Sequence, residues 1–436
     1  MDIEKSVKAL DNVKVAVCIP TYNRPDVIQE YIENTVFRYL RHNFDIFIYD
    51  SSEDKLTEEI VKKGMQQYTG LHYRKVDSSI HSNRKVYNIF MEFGSRQEYD
   101  YLWVCSDYIR WTEFVLDSVR KYIEKKYDII IPNYQDVEKI GNKEYVDINA
   151  LFLDCAWHMT LFGATILRVS TMLNDINWNG LVERYMVPDC INHSHVAFYF
   201  EKLAAMKGWK AVHLSFSKSD MIVSSMRKYS GWHKEVFYVW CHCWPTMINK
   251  LPECYKNKKR VIKKIGVNSG ILSYQNLKKL KRQKIFNKEV YRCYKSEWHN
   301  LTNIPRLFIW GLSIIPPELI DWEEYRKEIL LKKRIKKFCQ KHDHIYIYGA
   351  GRKADRYTGY LNELGIPFEA YLVSEQVDNV KIKENHKVVQ FYKELLHTGN
   401  VGILLALNEE NTKEVMEKME LCFYGENQIS SLYTDI

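Results

Sequence analysis

A chain of 436 residues exceeds what one hydrophobic core ordinarily organises, so its length implies two or three folding units. With 46% hydrophobic and 27% charged residues and no apolar run of membrane-spanning length, the composition is that of a globular protein and excludes a spanning helix. The formal net charge is +8, and the ten cysteines stand singly except for Cys-His-Cys at 241–243, which excludes a disulfide framework or a zinc finger with paired ligands. These thiols read as reduced packing residues. The opening MDIEKSVKALDNVKV carries acids where a secretory signal needs a basic start and an apolar core, so a cytoplasmic location is expected.

In chain order, VKVAVCIP (13–20) is a short apolar strand, and PDVIQEYIENTVFRYL is a helix opened by proline. FDIFIYD (44–50) is a second strand ending in Asp50, followed by a helix at LTEEIVKKGMQQY, a strand around LHYRKVD and a helix around NRKVYNIFMEFG. The run YDYLWVCSDYIRW (99–111) then reads as a buried strand that delivers one carboxylate, Asp107, to its end. Strands separated by helices of this length imply right-handed crossovers and a mainly parallel sheet. Ligands bind beyond the carboxyl ends of such strands, the edge where Asp50, Asp77 and Asp107 fall.

From 128 to 250 the pattern predicts strands near YDIIIPN, VDINALFL and WKAVHLSF, and a helix at HVAFYFEKLAAMKG that stops near Gly208. Residues 251–335 read as a basic helical segment with a Pro-Pro break at 316–317. Its runs KNKKRVIKKIG, LKKLKRQKIF and LLKKRIKKF are either solvated helix faces or a peripheral contact with an anionic membrane surface. No nucleic-acid-binding module accompanies them.

Residues 336–436 restart the strand-helix alternation as a small Rossmann-like α/β domain: HIYIYGAGRKADRYTGYLNELG, FEAYLVSE, a helix near FYKELL, VGILLALN and NTKEVMEKME. YGAGRKA (348–354) holds two of the three fingerprint glycines with Ala354 at the third, but Glu375 is only a passable ribose partner. The turn is read as a packing feature, and NAD binding is not expected.

The order of VAVCIPTYNRPDVIQEYIENTV, IYDSSED, NRKVYN and YLWVCSDYIRW resembles family 2 glycosyltransferases, well over about the first 110 residues and weakly to 250. The resemblance implies a GT-A type fold over 1–250, with 251–335 and 336–436 as additions. It implies transfer of a sugar from a nucleotide-sugar, UDP-linked in the first instance, to a glycan acceptor with inversion. That acceptor would be a lipid-linked glycan of bacterial capsule or exopolysaccharide synthesis, or a glycoprotein. Pro20, Thr21, Tyr22, Asn23 and Arg24 would face the donor diphosphate and base, with Asp50 and Ser52 beside the nucleoside, and Arg84, Lys85 and Asn88 on the pyrophosphate.

In the family an Asp-x-Asp motif holds Mg2+ or Mn2+ at the strand edge. Here Cys105 takes the first place and Asp107 the second, leaving Asp107 as a metal ligand, a metal-free hydrogen-bonding group or a turn residue. An inverting transfer also needs a base, and the family's acid pair before a glycine-terminated helix is missing from VPDCINHSHVAF. Asp189 and His195 are the candidates. The polar SSMRKYSGWHKE, with Arg227, Trp232 and His233, has the composition of a closing loop or of ordinary surface. These departures also admit a nucleotide-sugar-binding scaffold with weak or no turnover.

Overall fold

The computed structural model describes residues 13–407, except 97, 136, 225, 227–230, 375–380 and 393–399, and beyond them 412, 415 and 429–430. Arg227, the side chain of Trp232, Glu375 and most of FYKELL and NTKEVMEKME lie outside the described residues. The chain divides into two compact units, 1–314 and 315–436, so the basic segment is shared between them.

In the first unit, β1 (Val15–Thr21), β2 (Phe44–Asp50), β3 (Leu71–Lys75) and β4 (Tyr101–Val104) pair in parallel. The ribbon strand β5 (Ile109–Trp111) follows, then β6 (Ile129–Asn133), β7 (Lys143–Tyr145), β8 (Ile166–Arg168) and β9 (Ala211–Ser215). The eight-stranded sheet runs β3-β2-β1-β4-β8-β6-β9-β7. Only β8 and β7 enter antiparallel. This is the mainly parallel α/β sheet of the expected GT-A type. Outside it, β5 pairs antiparallel with β10 (Met221–Val223).

Val15, Val17, Ile19, Ile46, Ile48 and Trp103 are buried at the sheet's centre, each such side chain contributing about 1.5–3 kcal/mol. Their faces are covered by α1 (Pro25–Arg41), α2 (Leu56–Met65), α3 (Ser82–Arg96) and α4 (Glu113–Glu124). On α1, Val27, Ile28, Tyr31, Ile32, Val36 and Tyr39 form the helical-period stripe that turns inward. Its Glu30 accepts from Arg110 Nη2 at 2.6 Å and from Ser224, tying the β5-β10 ribbon down.

The expected strand at VDINALFL is a helix, Ile148–Cys155. Asp147 caps it by accepting from the Ala150 amide at 2.6 Å, and that local bond decides a short apolar run whose periodicity fits either element. Helix α5 (Ser194–Ala205) ends three residues before Gly208, whose φ of +70° makes the turn.

The basic segment is helical, as read. It contains α6 (Lys258–Asn268), α7 (Tyr274–Arg282), α8 (Lys288–Cys293) and α9 (Arg306–Ile314). On α6, a Cβ added to Gly266 would lie 1.8 Å from the Leu301 carbonyl oxygen. Gly266→Ala is therefore expected to cost about 3 kcal/mol as the backbones are pushed apart, read as a lower Tm.

The second unit opens with α10 (Pro317–Cys339), started by the expected proline break. Its sheet runs β13 (Lys381–Lys383), β14 (His386–Gln390), β12 (Ala370–Val373), β11 (His344–Tyr348), β15 (Val401–Leu405) and β16 (Ile429–Ser430), parallel except at β13. Helix α11 (Arg352–Glu363) follows β11 through YGAG, where Gly349 has φ +104°. There Lys353 Nζ donates to the Leu407 carbonyl at 2.8 Å.

Candidate active site

The carboxyl ends of β1, β2 and β4 bring most of the expected donor residues together. After Thr21 the chain must leave the sheet and enter α1 at once. Asn23 takes φ +50°, which its short polar side chain tolerates, and its amide donates to Ser52 Oγ at 2.8 Å. Pro25 then opens the helix. Thr21 Oγ1 donates to Asp107 Oδ2 at 3.0 Å, and Arg24 Nη1 to both Asp107 oxygens at 2.8 and 3.1 Å. Tyr22 is exposed beside them and Pro20 half-buried.

Asp107 is 3% exposed. Burial pushes its pKa up, while the Arg24 guanidinium, the Thr21 hydroxyl and the Lys85 ammonium pull it back. Lys85, buried on α3, donates to Ser51 Oγ at 2.6 Å and to the Thr21 carbonyl at 3.2 Å. Burial lowers its pKa, and Asp50 and Asp107 oppose that shift. Arg84 and Asn88 are half-buried on the same helix.

Asp50 stands at the expected strand end but fully buried. Ser52 donates to Oδ1 through its amide at 2.8 Å and its hydroxyl at 2.5 Å, and Tyr73 OH donates to Oδ2 at 2.9 Å. It holds Ser52 and Tyr73 in place and presents no free face to a nucleoside. Asp77 accepts from its own turn at Ser79.

The expectation of Mg2+ or Mn2+ at Asp107 does not fit this donor set. A hard divalent cation takes several oxygen ligands. Both oxygens of the one available carboxylate lie within 3.1 Å of a guanidinium nitrogen. The Cys105 thiol is fully buried and its pKa raised by burial, so it stays protonated as a packing group. Among the described residues no group of three or more His, Cys, Asp or Glu side chains is arranged to hold a metal ion.

Across the first turn of α3, His195 Nδ1 lies 3.1 Å from Asn83 Oδ1 and Nε2 lies 3.3 Å from the Thr160 carbonyl oxygen. The ring is 2% exposed, and burial lowers its pKa to about 3. His195 is thus a neutral interior group, and the structure does not bring it to the surface where an acceptor would stand. His193 is similar: its Nε2 donates to the Val239 carbonyl at 3.1 Å, and burial lowers its pKa to about 4.

Asp189 is the accessible candidate. Its Oδ1 accepts from Tyr238 OH at 2.9 Å and lies 3.1 Å from His242 Nε2, and these contacts hold the carboxyl below its usual range. Tyr238 and His242 stack at 5.3 Å within one π-turn, Tyr238–Cys243, a backbone form that often marks functional sites. Sequence reading missed both residues, since nothing local connects the Cys-His-Cys run to a distant aspartate. His233 Nε2 lies 2.9 Å from Gln283 Oε1, fifty residues further along the chain.

Residues 16–145 match Glycosyl transferase family 2. Among solved structures, the chain is 12% identical to S. aureus TarS 1–349, covering 72% of this chain and 92% of that one with a TM-score of 0.40. It is 15% identical to the mannosyltransferase PcManGT from Pyrobaculum calidifontis in complex with GDP-Man and Mn2+, covering 68% and 85% at a TM-score of 0.36. It is 11% identical to glucosyl-3-phosphoglycerate synthase from Mycobacterium tuberculosis in complex with Mg2+ and UDP, covering 58% and 84% at 0.38. No curated protein matches the chain. By the family match over 16–145, the chain carries a glycosyltransferase domain of family 2.

Proposed function

We propose that this chain is an inverting glycosyltransferase that takes its sugar from a nucleotide-sugar, UDP-linked by first preference, and passes it to a glycan. We assign that glycan to bacterial capsule, exopolysaccharide or glycoprotein synthesis, with a lipid-linked acceptor as the favoured form. The observation that carries the reading is the set Thr21, Arg24, Lys85 and Asp107 gathered at the ends of β1 and β4 inside the family 2 region.

Arg24 is the cation with accessible surface in this set, so it meets the diphosphate, and Asp107 fixes its fork. Lys85 adds buried positive charge behind Thr21. An acceptor hydroxyl oxygen attacks the anomeric carbon as the bond to the diphosphate oxygen breaks. The diphosphate leaves with the bonding electrons, and Asp189 takes the hydroxyl proton.

The test is a panel of nucleotide-sugars assayed for hydrolysis and thermal shift, with and without Mn2+. Absence of binding to every donor would sink the reading. Arg24→Ala is expected to weaken UDP affinity about a hundredfold through loss of a charge-assisted contact and the misplacement of Asp107. Calorimetry in a chelating buffer, where wild-type binding should persist, checks it. The scaffold alternative predicts donor binding without turnover, and a measurable kcat removes it.

A further inference from the structure

Helix α9 (Arg306–Ile314), sequence RLFIWGLSI, carries no charge after its first residue and, apart from Ser313, only apolar residues and a glycine. Such a helix is ordinarily enclosed. Ile309, Leu312 and Ser313 do face inward, against the side of the molecule built by α7 and α8. Leu307 is nonetheless 71% exposed, Phe308 61%, and Trp310 and Ile314 43% each. Leu307, Trp310 and Ile314 recur at the i, i+3, i+7 spacing of one helical face, with Phe308 flanking it.

The charge around this face is lopsided. Residues 256–314 hold 15 Lys and Arg against 2 Asp and Glu, leaving 48 against 53 in the rest of the chain. The whole positive balance of the protein therefore sits on the segment that carries the uncovered face. Around α9, Lys284, Lys288, Arg292, Lys295 and Arg306 are all exposed.

We infer that α9 is a docking element for an anionic lipid surface. Leu307, Phe308, Trp310 and Ile314 enter the headgroup boundary, and the surrounding Lys and Arg lie against lipid phosphates. Leucine, phenylalanine and tryptophan on one face with basic residues around it is the composition that partitions to such an interface. A second copy of the chain would fit the apolar face but would set two strongly positive surfaces together, which disfavours it. The assignment deepens the reading of this chain as a transferase acting on a lipid-borne acceptor.

The experiment is co-sedimentation of the full chain with phosphatidylcholine vesicles made with and without phosphatidylglycerol. Binding is expected only to the anionic vesicles and should weaken as salt rises. The triple change Leu307→Gln, Phe308→Gln, Trp310→Gln should abolish binding while leaving the Tm unchanged, because all three side chains lie outside the core. Each of Lys284→Gln, Lys288→Gln and Arg292→Gln should weaken binding about fivefold.

Wild-type protein left in the supernatant overturns the inference, as does equal binding by the triple variant. A concentration-dependent dimer that the triple variant disperses also overturns it, in favour of a second copy. Vesicle binding without any donor turnover would overturn the transferase reading alone. Donor turnover without vesicle binding would overturn this inference alone.

Discussion

Asp189→Asn should lower kcat by about 10²- to 10⁴-fold, the range set by loss of a positioned proton acceptor, with no change in UDP affinity. The amide keeps an oxygen for Tyr238 and His242 and the side chain is exposed, so the fold should be indifferent to the change. The pH profile supplies a second readout. Tyr238 and His242 hold the Asp189 carboxyl below its ordinary value, so its acid limb should fall below the usual carboxylate range, with activity present above it. His242→Ala removes part of that support and should move the limb upward. An unchanged kcat in Asp189→Asn would remove Asp189 from the mechanism.

Acid should destabilise the first unit well before its carboxylates protonate. His193 and His195 are neutral in the folded chain, with pKa values lowered from 6.5 to about 4 and about 3. Between those values and 6.5 the unfolded chain binds protons that the folded chain does not, so stability is full above about pH 6.5 and falls as pH drops. Because the unfolded rings are already half protonated at pH 6.5, each costs about 1 kcal/mol between pH 6.5 and 5.5, or about 2 kcal/mol for the pair. Urea unfolding across that interval measures the slope, and His195→Gln should roughly halve it. A flat profile from pH 6.5 to 5.5 would show that both rings are solvated or paired in the folded state.

The parallel sheet and its covering helices were legible because the apolar strands and amphipathic helices alternate at full length, and because PTYNR, IYD, NRKVYN and CSD punctuate the edge in order. The grouping of Thr21, Arg24 and Asp107 was legible for the same reason: a strand-end residue has little choice of place. The failures share a cause. VDINALFL is short enough that one side-chain cap at Asp147 decides its conformation. Asp50 reads as a ligand-facing acid until Ser52 and Tyr73 are seen to occupy it, and Tyr73 comes from another strand.

His195 had the register of a base. What the sequence lacks is the wall formed by Asn83 and Thr160, which makes it an interior group. The contacts of Asp189 with Tyr238 and His242 depend on how one loop lies against one wide helical turn, and that information resides only in the folded chain.

The first turn of α3 has a consequence for the order of events. Its Lys85 grips Thr21 and Ser51 at the donor edge, while two residues earlier Asn83 meets His195, at the head of the helix that follows the Asp189 loop. One turn of helix therefore ties the strand ends that hold Thr21 and Ser51 to the head of the helix behind Asp189, and on the proposed function it would fix the gap between diphosphate and base.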